Sequence, residues 1–146
     1  MLLDTIFLME STLLLIKPDG VERKLVGDII KKLENSDLEI INMRMVHLTQ
    51  DEAEKFYSIH KDKFFFDELI RYVTREKIVA IELKGKDAVR RTRLLIGGTD
   101  PKEAEEETIR GICGISKTEN TVHASDSKKT AKREIEFFFG SRNIHE

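Results

Sequence analysis

Residues 11–20 read STLLLIKPDG, an apolar run closed by Pro18 and Gly20. That pattern suits a buried strand ending at a turn. Downstream, VGDIIKKLENS (26–36) places Val26, Ile29, Ile30 and Leu33 on one helical face. LEIINMRMVHL (38–48) mostly alternates and reads as a second, half-buried strand. Thr49 followed by Glu52 forms a capping box for a helix over QDEAEKFYSIH (50–60).

A further helix, FDELIRYVTRE (66–76), leads into a third strand, KIVAIELKG (77–85). KDAVRRTRLLIG (86–97) is helical and closes at Gly97-Gly98. From Thr99 to Asn120 the regular periodicity is lost, and loops of such length in a compact domain tend to be functional. A short strand holding Val122 and His123 follows, and Asp126 or Ser127 caps a last helix, KKTAKREIEFFFG (128–140). With the extra helices removed, the order is βαββαβ. That predicts an α+β fold of the ferredoxin-like kind, an antiparallel sheet with helices packed on one face.

At 146 residues the chain has the length of one ordinary domain. Charged residues make up 36% and net charge is only −2, which argues against binding nucleic-acid backbones as the main role. Any basic groups that matter must therefore be gathered locally. The single cysteine, Cys113, excludes an internal disulfide and fits a reducing compartment. The N-terminal MLLDTIFLME is apolar but has no basic leader and carries Asp4, a poor signal peptide. It also falls well short of the roughly 20 residues of a membrane helix. The expectation is a cytoplasmic protein with no membrane contact. Its apolar extension over residues 1–9, packing on this or another subunit, precedes a single domain over 10–146.

The stretch NTVHASDS (120–127) carries the chemistry. A histidine on an apolar strand is more often a hydrogen-bonded core residue than a catalyst. A neutral imidazole near pH 7 is nonetheless a nucleophile, and it can take a phosphoryl group on one nitrogen if the other donates to a carboxylate. Glu134, eleven residues on and about two turns into the last helix, could fold back to supply it. Phosphoryl transfer also needs positive charge around the moving oxygens. Lys17 ends the first strand, Arg93 lies in the last turn of its helix, and Arg110 falls in the long loop. Neither a G-x-x-x-x-G-K-[ST] loop nor a G-x-G-x-x-G turn is present, so a P-loop or Rossmann mechanism is not expected.

Taken together, IKPDGV, GGTDP, TIRG and NTVHASDS resemble the motifs of the nucleoside diphosphate kinase family, from about Glu10 to Phe139. The resemblance implies the following roles. His123 is the phosphohistidine that takes the γ-phosphate of a nucleoside triphosphate and passes it to a diphosphate in a ping-pong reaction. Glu134 orients its ring, and Ser125 sits near that carboxylate. Lys17 and Asn120 reach the ribose hydroxyls and phosphate bridge, while Arg93, Thr99 and Arg110 bind phosphates. Tyr57 lies close to the histidine and Phe65 stacks on the base. Mg²⁺ arrives on the nucleotide phosphates, with no protein ligand assigned to it, and the family forms homo-oligomers, hexamers or tetramers. Departures from the family pattern are Phe64, Glu106-Glu107, Ile112 and Thr118-Glu119. The competing reading is a non-enzymatic nucleotide-binding or scaffolding relative that keeps the pocket.

Overall fold

The computed structural model describes residues 9–98, 105, 107–113 and 120–140. Among them four strands form one antiparallel sheet in the order β2-β3-β1-β4: β1 (Met9–Ile16), β2 (Glu39–Val46), β3 (Ile78–Lys86) and β4 (Val122–Ala124). The helices are α1 (Pro18–Glu22), α2 (Val26–Glu34), α3 (Gln50–Phe56), α4 (Phe66–Thr74), α5 (Ala88–Ile96), α6 (Ile109–Cys113) and α7 (Lys128–Phe139), with a 3-10 turn at Ser58–His60. β1 opens at Met9, the last residue of the apolar extension; residues 1–8 lie outside the described residues.

The sheet is covered on both faces. Leu14, Ile16, Val79, Ile81 and Leu83 pack under the crossover helices α2 and α5 through Ile29, Leu33, Ala88 and Ile96. These crossover helices are the one layer expected from the element order; a second helical layer on the opposite face departs from that expectation. The other parity of the same strands, Leu13, Leu15, Ile78 and Ala80, is buried by the additional helices through Phe56, Val73, Ala131 and Phe138. The continuous apolar run Leu13–Ile16, each residue 0% exposed, is thereby explained: both faces of β1 are core. Each such side chain contributes about 1.5–3 kcal/mol by leaving water.

Local signals act as expected at several ends. The Thr49–Glu52 capping box is formed in both directions, at 3.1 Å and 2.9 Å. Ser127, not Asp126, caps α7 by accepting from the Thr130 N–H at 3.1 Å. α5 stops at Gly97, whose φ of 90° is open only to glycine at little strain. Its start is unusual. The Asp87 side chain makes no cap, and Glu10 from β1 accepts the Val89 N–H at 2.9 Å instead. Three elements differ from the sequence reading. The helix expected over 50–60 ends at Phe56 and gives way to the 3-10 turn at Ser58–His60. Pro18–Gly20 continues into a helical turn rather than a plain bend, because proline at N1 presets helical φ. The segment expected as irregular loop contains α6, capped by the Thr108 hydroxyl accepting from Gly111 N–H at 3.1 Å.

Candidate active site

One cleft of about 580 Å³ opens between the end of β1, β4, the α3–α4 connection and α7. His123 in β4 points into it, with its ring Nε2 3.1 Å from both carboxylate oxygens of Glu134. The His123 side chain is 23% exposed and that of Glu134 only 4%, so the carboxylate is screened from water while the ring keeps one open side. Ser125 donates its hydroxyl to Glu134 Oε1 at 2.5 Å, and Arg133 approaches the other oxygen at 3.7 Å. Phe56 and Tyr57 meet the imidazole edge-on, with centroids 5.9 and 6.4 Å away. These rings wall in the side of the histidine that faces the core.

The cations converge on the same cleft. Lys17 is buried at the end of β1 and donates from Nζ to Asn120 Oδ1 at 3.0 Å. Burial first, and the Arg110 charge second, lower its pKa to about 8, partly opposed by Asp19. Arg110 on α6 donates to the carbonyls of Gly97 (3.1 Å) and Val122 (2.9 Å), while its Nε has no hydrogen-bond partner. Burial, then Arg93, brings it down to about 10. Arg93 donates to the Ala124 carbonyl at 3.2 Å. Lys17 and Arg110, buried and lowered in pKa, thus crowd like charge on one side of the cleft, an arrangement that favours anionic ligands.

Of the ten residues singled out in the sequence, Lys17, Tyr57, Phe65, Arg93, Arg110, Asn120, His123 and Glu134 all line this cleft. Ser125 lies beneath it, buried against Glu134. Thr99 lies outside the described residues. Tyr57 is buried, its hydroxyl has no partner, and burial with the Glu134 charge pushes its phenol upward. Phe65 is half-buried at the mouth, edge-on to a fully exposed Phe64 at 5.5 Å.

Against known sequences, the model of the family described as nucleoside diphosphate kinase matches residues 10–144. The chain belongs to this family. A nucleoside diphosphate kinase of Saccharolobus islandicus (strain L.S.2.15 / Lassen #1) is 47% identical over 136 residues, which is 93% of this chain and 99% of that protein. One from Histophilus somni (strain 129Pt) is 48% identical over 137 residues, 94% of this chain and 97% of that protein. Among solved structures, the Aquifex aeolicus nucleoside diphosphate kinase superposes with a TM-score of 0.88 at 36% identity, covering 90% of this chain and 95% of that one. A halophilic nucleoside diphosphate kinase from Halobacterium salinarum, solved with CDP, gives 0.87 at 37% identity, covering 90% and 88%.

For a member of the nucleoside diphosphate kinase family, the sequence reading left several cleft residues unnamed. His60 lines the cleft 5.8 Å from Phe65, with its Nδ1 buried and unpartnered, and burial lowers its pKa. Asp126 and Arg133 line it as well. Asp126 follows His123 so closely that it could have been read from NTVHASDS. His60 had no signal, because only the 3-10 turn after α3 aims it inward. The glycines of KPDG and TIRG prove steric: a Cβ on Gly20 would sit 2.7 Å from Ile16 Cγ2, and one on Gly111 2.0 Å from the Glu105 carbonyl. Among the departures, Ile112 is exposed, whereas Glu106, Thr118 and Glu119 lie outside the described residues.

Proposed function

We propose that this chain transfers the γ-phosphate of a nucleoside triphosphate to a nucleoside diphosphate through a phosphohistidine at His123. The observation that carries this is the imidazole held through Nε2 by Glu134 in a cleft where Lys17, Arg93 and Arg110 gather positive charge. With Nε2 engaged, Nδ1 is the nitrogen that attacks phosphorus. The Nδ1–P bond forms as the bond from the γ-phosphorus to its bridging oxygen breaks, and the diphosphate leaves with that oxygen. The proton on Nε2 stays, stabilised by the carboxylate. A second diphosphate then reverses the same step, so acceptor follows donor in one cleft.

On this reading Arg93, Arg110 and Thr99 take phosphate oxygens, and Lys17 and Asn120 take the ribose and the phosphate bridge. Tyr57 stands beside the ring and Ser125 fixes Glu134. Phe65 offers the base a face, which tolerates every base because each has a π-face. The reading has Mg²⁺ arrive on the nucleotide phosphates. When bound it would offset part of their charge. The remaining elements are a homo-oligomer of four or six copies, a cytoplasmic location, and one domain from residue 10 behind the apolar extension. The single sheet between two cores supports the last of these, and the outer edge of β2, where Met43 and Met45 are each 52% exposed, supports assembly. No helix among the described residues is long and apolar enough to cross a membrane.

The test is incubation with γ-labelled ATP and Mg²⁺. The expected result is an acid-labile, alkali-stable label on the protein that a nucleoside diphosphate removes. A labelled serine or no label at all would overturn the reading.

A pH dependence follows from Lys17. Its amine is charged below about pH 8 in the free protein and neutral above, and bound phosphates favour the charged form. Thus kcat/KM, which reports the free enzyme, should fall as pH rises through about 8. The kcat at saturating nucleotide should hold to higher pH. Parallel declines of both would assign the titration to another group.

A further inference from the structure

Between Asn120 and β4 the chain turns through Thr121 at φ 75°, and Val122 N–H donates to the Asn120 carbonyl at 2.8 Å. A hydrogen bond closed around one positive-φ residue is a γ-turn of the strained hand, and a β-branched residue is poorly suited to it. Two contacts of Thr121 oppose the strain, and one of them ends on a carboxylate that is itself held in place. The Thr121 hydroxyl, fully buried, donates to Asp19 Oδ2 at 2.9 Å. The Thr121 carbonyl accepts from the Lys17 N–H at 2.8 Å. Asp19, itself 1% exposed, also accepts from the Tyr72 hydroxyl and lies 3.9 Å from Arg23.

The turn has catalytic neighbours on both sides. One residue before it, Asn120 accepts from Lys17; two residues after it, His123 meets Glu134. We propose that Asp19 and Thr121 are positioning residues of this cleft. Their hydroxyl–carboxylate bond holds the strained turn that sets Asn120 against Lys17 and the His123 ring against Glu134. Strain at a functional site persists only where the surroundings over-determine it, and here the surroundings are a buried carboxylate with two hydroxyl donors. The catalytic consequence rests on the phosphohistidine reading; the geometric one does not.

Thr121→Ser and Thr121→Ala test this in the full chain, since both lose the methyl group and differ only in the hydroxyl. Two signals are read: the ¹⁵N resonances of the His123 imidazole, which report its tautomer without any nucleotide, and single-turnover phosphohistidine formation from MgATP. The serine variant should keep the wild-type ring signals and label within about twofold of the wild-type rate. The alanine variant should lose part of the Nε2-protonated population and label on the order of tenfold more slowly, as expected for one lost buried hydrogen bond to a charged group. Ring signals that are the same in both variants overturn the inference, and so do equal labelling rates in an active protein. If wild type and variants alike form no phosphohistidine, the proposed reaction fails, and the ring signals still decide the role of the turn.

Discussion

His123→Ala leaves a folded protein that neither takes label from ATP nor moves phosphate between nucleotides. The substitution removes the nucleophile of the proposed reaction, so the loss should reach background rather than a reduced rate. Folding should survive because His123 pairs with Leu15 through backbone, and its side chain touches Phe56 and Tyr57 only at their edges. His60 is the control, since it lines the same cleft with a buried, unpartnered Nδ1. His60→Ala should still label, and His123→Ala should not. Transfer by the His123 variant within tenfold of wild type would assign the nucleophile elsewhere.

Glu134→Gln should lower kcat by about one to two orders of magnitude while moving nucleotide KM little. The carboxylate accepts from the ring and from Ser125, and bonds of this charged kind contribute about 1.5–3 kcal/mol each. Since about 1.4 kcal/mol is tenfold in rate, losing the ring contact alone spans that range. An amide fills the same space but cannot stabilise the cationic character that the imidazole would gain in the proposed step as Nδ1 bonds to phosphorus. A second readout is spectroscopic. Burial first, and the Glu134 charge second, hold the Tyr57 phenol above its ordinary value, so in Glu134→Gln that phenol should titrate lower. An unchanged kcat with a lowered Tyr57 titration would show the carboxylate present but irrelevant to transfer.

The parts of this molecule that were legible in the sequence are those specified by neighbours along the chain. The Thr49–Glu52 box, the Gly97 stop and the apolar face of Val26–Leu33 are local patterns, and each forms where expected. The convergence of Lys17, Arg110 and His123 was legible only through the resemblance, because nothing local in the chain says that residues 103 positions apart, Lys17 and Asn120, will meet. The helical turn at Pro18–Glu22 was missed because proline and glycine were read as breakers, and the helix at Ile109–Cys113 because five residues are too few to show a period. In the first case proline at N1 begins a helix. In the second, Gly111 is there for close approach to the Glu105 carbonyl rather than for a bend. Thr121 carries no signal of its left-handed φ, since its strain is offset by Asp19 and Lys17, both far away in sequence.

Because β1 is enclosed by β3 and β4 and buried on both faces, the amides of Leu13 to Ile16 can exchange with solvent only when the whole sheet opens. Lys17 follows directly on that strand. The end of the cleft proposed to take the base is mounted differently, on a 3-10 turn and a connection where Ile59 is 71% and Phe64 99% exposed. Such segments open locally at little cost. On the proposed reading, the phosphate end should thus be anchored in a slow-exchanging part of the described structure and the base end in a fast-exchanging one. Each nucleotide would therefore be held by its phosphates, and arrival and departure would be gated where the base sits.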